Sequence, residues 1–165
     1  LRPYRKPLII MTPKSLLRHK LAVSSLAELS SGGWQSVIPD SEADVKKVKR
    51  IVLCSGKVYY DLLEQVRAEK QDNTALIRIE QLYPFPTSEL TAQLTRYPKV
   101  KDIVWCQEEP KNQGAWYCTQ HHLLSCVAKS QTVHYVGRPA SAAPAVGSPL
   151  VHAQEQQMLV KEALN

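Results

Sequence analysis

The chain has 165 residues, of which 44% are hydrophobic and 22% charged, and a formal net charge of +6. That is one ordinary domain with enough apolar residues for a real core, and its longest apolar run is far too short for a transmembrane helix. The positive charge raises nucleic acid as a partner, but the one dense basic run, KKVKR (46–50), has no interleaved aromatics for base stacking and reads as a solvated linker before a strand, so an anionic small molecule is the better partner class.

LRPYRKP (1–7) is basic and proline-bearing and leads almost at once into an apolar run, which reads as an excised linker more than a natural start; no compact apolar stretch with a small-residue cleavage site follows, so no signal peptide is expected. LIIM (8–11), IVLC (51–54), ALIRI (75–79), DIVWC (102–106) and VHYV (133–136) are short apolar runs bounded by Gly, Pro or polar residues, the pattern of strands buried on both faces of a parallel sheet. Helical patterns lie between them: 57–69 with Val58, Leu62, Leu63 and Val66 on one face, 87–97 with Leu90 and Leu94 and a cap at Thr87 or Ser88, 113–127 with Trp116, Leu123, Leu124 and Val127, and 152–164 with Met158, Leu159 and Leu164. Residues 30–47 and 137–151 read as irregular, the latter an extended Pro-, Ala- and Ser-rich wrap. Strand and helix in alternation predict an α/β fold, a three-layer, doubly wound, mostly parallel sheet.

In such sheets ligands bind beyond the carboxyl ends of the strands, so the chemistry should sit at the strand-to-helix junctions. TPKS (12–15) and SGKVYY (55–60) each offer a hydroxyl and a lysine near the start of a turn or helix, where free N–H groups suit phosphate. With Arg18, Arg78 and Arg138 they make an anion site about as plausible as simple turn formation; neither junction is a P-loop, and no strand is followed by GxGxxG. IEQLYPFP (79–86) reads as a stiff turn and a possible interface. WCQEEPKNQGAW (105–116) holds Cys106, Glu108 and Glu109, with Asn112 as the expected cap of the next helix. Adjacent residues on an extended segment point to opposite sides, so Glu108 and Glu109 do not form an acid–base pair, and Cys106 has no histidine spaced to activate it. Both glutamates read as interface residues or supports behind a site, and no catalytic residue is assigned. The four cysteines form no CxxC pair, and Cys118 and Cys126 beside His121 and His122 fit no zinc spacing, so no metal site is assigned and free thiols in a reducing cytoplasm are expected.

MTPKSLLRHKLAVSSL, CSGKVYYDLLEQ, RIEQLYPFP, WCQEEPKNQGAWY and GRPASAAPAVG, in this order, resemble the C-terminal part of the thiamine-diphosphate-dependent 2-oxoglutarate dehydrogenase family, over residues 7 to 165. The resemblance implies a homodimeric enzyme of transketolase-like build, the decarboxylating component of a complex with a dihydrolipoyl succinyltransferase. It implies that residues 1–47 are the end of a pyrimidine-binding domain plus a linker, and 48–165 a C-terminal α/β domain like that of transketolase. The family's diphosphate-binding GDG motif and catalytic histidines are not in this sequence, so thiamine diphosphate and magnesium would be held elsewhere, and this chain alone would be inactive. It further implies that Lys14, Arg18, Ser55, Lys57 and Arg78 could hold acetyl-coenzyme A or AMP as a regulator. A free-standing nucleotide-binding regulatory module is the alternative.

Overall fold

The computed structural model describes residues 3–165, which divide into two compact units, Leu1–Gly32 and Gly33–Asn165. In the first unit, LIIM is not a strand. Leu8, Ile9, Ile10 and Met11 are irregular and more than two-thirds exposed. A strand needs neighbours for its N–H and C=O groups, and none of the described strands pairs with this run. Lys14–Arg18 forms a single 3-10 turn, and α1 (Leu26–Ser30) starts on a capping box in which Ser25 and Glu28 exchange side-chain-to-backbone hydrogen bonds.

The second unit follows the predicted alternation: β1 (Val37–Ile38), β2 (Arg50–Cys54), α2 (Val58–Glu69), β3 (Thr74–Ile79), α3 (Thr87–Thr95), β4 (Asp102–Cys106), α4 (Trp116–Cys126), β5 (Thr132–Val136) and α5 (Pro149–Leu164). The sheet order is β1-β3-β2-β4-β5, with β1 antiparallel and all other pairs parallel. This is the expected mostly parallel α/β sheet. Its compact unit reaches back to Gly33, ahead of residue 48, because Val37 and Ile38 pair with Ile79 and Arg78 and bury Val37.

Strand alternation divides the core. Ile51, Leu53, Ala75, Ile77, Ile79, Ile103 and Trp105 pack with Leu90, Leu94 and Tyr97 near α3 and with Leu123 and Cys126 of α4. Val52, Cys54, Leu76, Val104 and Cys106 point to the other face, where α2 and α5 pack together over the sheet. The central strands are buried on both faces, as their unbroken apolar runs require. β5 departs from that expectation: it is an edge strand, with Thr132 and His134 exposed.

Three local expectations are corrected. Leu124 and Met158 are exposed at 59% and 63%, because each lies one residue, about 100° of helix, from the buried Leu123 or Leu159. Pro86, not Thr87 or Ser88, occupies the cap position of α3 and supplies no side-chain acceptor. The wrap ends at Ser148, since Pro149 opens α5, where its missing N–H costs nothing.

Leu53 is fully buried at the centre of the sheet. Leu53→Ala is expected to lower unfolding free energy by about 2–5 kcal/mol, read as a shifted denaturant midpoint with an unchanged slope.

Candidate functional site

The strand order places β2 between β3 and β4, and the chain leaves β2 toward β3 but returns on the opposite side at β4. That reversal opens a crevice beyond the carboxyl ends of β2 and β4, the usual ligand position in such sheets. Its two walls are Ser55-Gly56-Lys57, after β2, and Gln107-Glu108-Glu109, after β4.

Gln107 builds the second wall. Its side chain is buried, with the residue only 3% exposed. Its Oε1 accepts from Trp105 Nε1 at 3.0 Å and from the Trp116 backbone N–H at 2.9 Å. Its Nε2 donates to the carbonyls of Glu109, Pro110 and Gln113 at 3.2, 3.2 and 2.9 Å. The loop therefore closes around one amide and delivers the first turn of α4 to it. Gly114, at φ +64, is required there: a Cβ would lie 2.9 Å from Glu109 Cβ and 3.0 Å from Gln107 Nε2.

Asn112 does not cap α4, whose cap position is Ala115. It binds Ser141 twice instead, Nδ2 donating to the Ser141 carbonyl and Oδ1 accepting from its N–H, both at 2.9 Å. With Lys111 N–H and the Tyr135 hydroxyl both donating to the Arg138 carbonyl at 3.0 Å, this holds the wrap against the loop.

Glu108 turns into the crevice and forms an ion pair with Lys57. Gln156 of α5 donates to Glu108 Oε1 at 3.0 Å and to Asp61 Oδ2 at 2.6 Å. Arg138 donates to the Glu108 carbonyl, pairs through Nε with Glu155 at 2.8 Å and donates to Gln156 Oε1 at 3.0 Å. Glu109 lies against Gly114. It is exposed, and its carboxylate makes none of the described hydrogen bonds or ion pairs. The two carboxylates differ in surroundings, Glu108 half-buried and paired and Glu109 exposed, but both lie in a bend and not on the extended segment that the sequence suggested.

Arg78 lies at the end of β3, paired with Glu80 at 3.0 Å and stacked 4.5 Å from the Tyr59 ring centroid. Charge balance, the ring and half-burial make it a packing cation as much as a ligand for anions. Ser55 is half-buried and Gly56, at φ +75, leaves open space beside it. Lys14 and Arg18 belong to the Leu1–Gly32 unit, exposed on its 3-10 turn.

Cys106 is fully buried, and burial, with Cys54 and Glu108 nearby, pushes its thiol far up. Cys54 is raised to about 12, also chiefly by burial. Thiols held protonated in this way are poor nucleophiles. His122 stacks on Phe85 with centroids 4.9 Å apart, and Cys126 contacts the Thr87 carbonyl. Among the described residues no three His, Cys, Asp or Glu side chains are arranged to hold a metal, and no helix is long and apolar enough to cross a membrane.

Sequence reading missed Gln107, Asp61, Glu155 and Gln156. A glutamine directly after the apolar run DIVWC was the one available sign. The α5 pair carried none, since its partners lie far away in sequence.

Fold and site together define a doubly wound α/β domain whose switch-point crevice is closed by the Lys57–Glu108 ion pair. Residues 23–164 match the family model described as 2-oxoglutarate dehydrogenase C-terminal, and the chain belongs to that family. It is 57% identical over 167 residues to the 2-oxoglutarate dehydrogenase E1 component of Coxiella burnetii, a match covering 99% of this chain and 18% of that protein. The corresponding protein of Haemophilus influenzae is 58% identical over 166 residues, covering 100% and 18%. That of Azotobacter vinelandii is 53% identical over 167 residues, covering 99% and 18%. The chain therefore spans about a fifth of these relatives, and the resemblance carried by the five motifs holds.

Gln107→Leu removes partners from two N–H donors and three carbonyls at once. Stability is expected to fall by about 1–3 kcal/mol or more, with Trp105 and Trp116 fluorescence reporting a loosened loop at denaturant concentrations where the parent is intact.

Proposed function

We propose that this chain is the C-terminal domain of a thiamine-diphosphate-dependent 2-oxoglutarate dehydrogenase. That enzyme decarboxylates 2-oxoglutarate and passes the succinyl group to lipoamide, alongside a dihydrolipoyl succinyltransferase, as a cytoplasmic homodimer of the citric acid cycle. The observation that carries the reading is the family match over residues 23–164, with relatives whose C-terminal fifth corresponds to nearly this whole chain. Residues 1–47 are then the end of a pyrimidine-binding domain and its linker.

The described residues do not fit the cofactor. Magnesium diphosphate needs converging oxygen ligands, whereas the crevice carboxylates are engaged by Lys57, Arg138 and Gln156. The domain's role is accordingly structural: its crevice network holds α5, the wrap and the β4 loop as one piece, and Glu109, exposed and unpaired, is offered to a neighbouring subunit. In the full-length enzyme, Glu109→Gln is expected to weaken the dimer by about tenfold or more, as loss of a charged hydrogen bond does, while the turnover of the remaining dimer is unchanged. Sedimentation over a concentration series and turnover at saturating protein separate the two effects; a stable dimer with collapsed turnover would place Glu109 in the chemistry. The chain alone is expected to release no carbon dioxide from 2-oxoglutarate.

A second reading concerns regulation. The Lys57 side chain keeps 35% of its surface exposed while Glu108 keeps 16%, so an acetyl-coenzyme A or AMP phosphate can approach Lys57 beside Ser55, with Arg78 as a further contact. Such an anion would compete with Glu108. The two substitutions are therefore expected to act with opposite sign. Lys57→Ala weakens nucleotide binding by about tenfold or more, and Glu108→Gln strengthens it, both read by calorimetric titration of the full-length dimer.

A further inference from the structure

The opposite edge of the sheet carries a second concavity. Its walls are the segments that lead into β2 and β4, and its volume is about 810 Å³. Its floor is apolar: Val48, Tyr97 and Val100 are buried, and Val45 is 37% exposed. Its rim is cationic, with Lys46, Lys49, Lys99 and Lys101 all exposed. Among the described residues no ion pair engages any of these four lysines. Of the neighbouring carboxylates, Asp72 pairs with Lys47 at 2.8 Å, Asp102 is shared by Arg50 and His134, and Asp44 accepts the Lys46 backbone N–H at 3.0 Å.

Unpaired like charges around a depression repel one another and raise the local concentration of anions. The kind of anion follows from what the groove lacks. A compact phosphate is best held by converging backbone N–H groups at a helix N-terminus. Here the adjoining helix end is the C-terminus of α3, where Arg96 is the cap residue, and it presents carbonyl groups. Nucleic acid would want exposed rings to stack on, and the groove's one aromatic, Tyr97, is only 1% exposed. Flexible lysines spread around an apolar floor, their aliphatic stems adding to it, suit carboxylates distributed along a chain with an apolar side chain between them.

We propose that this groove docks an acidic polypeptide segment that places an apolar side chain on Val45 and Val48 and its carboxylates on Lys46, Lys49, Lys99 and Lys101. The contact is independent of the crevice at the carboxyl edge and of the regulatory reading given for it.

The test uses the intact protein and a fluorescent glutamate-rich peptide carrying one central leucine, followed by anisotropy at two ionic strengths. The peptide is expected to bind, and more weakly as salt is added. Changing Lys46, Lys49, Lys99 and Lys101 together to Glu should lower affinity by about tenfold or more, the combined effect of four weak exposed ion pairs. Replacing the leucine by serine should weaken binding further. A control with Arg5, Lys6, Lys20 and Lys129 changed to Glu carries the same net charge and should bind as the parent does. If the Glu variant is misfolded by circular dichroism, the four-alanine variant decides, with a smaller loss in the same direction. No binding, equal loss in both charge variants, or no effect of the leucine would overturn the proposal. So would pyrophosphate or a single-stranded oligonucleotide binding the same lysines more tightly than the peptide.

Discussion

A primary amide taken out of water must find partners for two N–H groups and a carbonyl oxygen, or its burial costs more than it returns. Gln107 meets that demand with five hydrogen bonds, and the functional edge of the domain is arranged around them. Because the amide reaches back to Trp105 and forward to Gln113 and Trp116, the loop after β4 has one compact path. That path leaves Glu108 in the crevice and Glu109 outside it. The division of labour between two adjacent carboxylates therefore depends on a neutral neighbour that carries no charge itself.

Charge is distributed unequally between the two edges of the sheet. At the carboxyl edge the cations are matched: Lys57 by Glu108, Arg78 by Glu80, Arg138 by Glu155. These partners are half-buried, where an unpaired charge would be costly, so the pairing is a condition of closing the crevice. At the amino edge Lys47 pairs with Asp72 and Arg50 with Asp102, while Lys46, Lys49, Lys99 and Lys101 are exposed and in none of the described ion pairs. Pairing is optional for exposed lysines. The contrast leaves the most typical ligand position closed by an ion pair and a lysine-rimmed surface at the opposite edge, while most of the chain's basic excess lies in residues 1–32, with six Lys and Arg against one Glu.

The strands from residue 50 onward could be located to within about a residue from their apolar runs, because burial on both faces leaves few polar residues that would sit there. LIIM has the same composition and is not a strand. Apolar character makes a run able to enter a sheet, but pairing needs a neighbouring strand, and none is among the described residues. Helix faces were legible only as stripes. Leu123 and Leu159 are covered while Leu124 and Met158 are not, and the width of the covered stripe is set by the sheet beneath. Caps were read from residue type, yet Asn112 found Ser141 and Pro86 took the start of α3.

By itself the sequence determined the fold class and the family. It did so because periodicity, turn residues and long ordered motifs are properties of neighbouring positions. It read Glu108 and Glu109 as an extended segment, whereas both lie in a bend after β4, where strand alternation no longer fixes their direction. Only the tertiary structure decided which cations were already partnered. Lys57 meets Glu108 across 51 positions, and Gln156 meets Asp61 across 95. Such contacts depend on strand order and on the seating of α5, which no local pattern encodes. A lysine in a turn reads the same whether a carboxylate faces it or water does, and that difference settles whether it can hold a ligand.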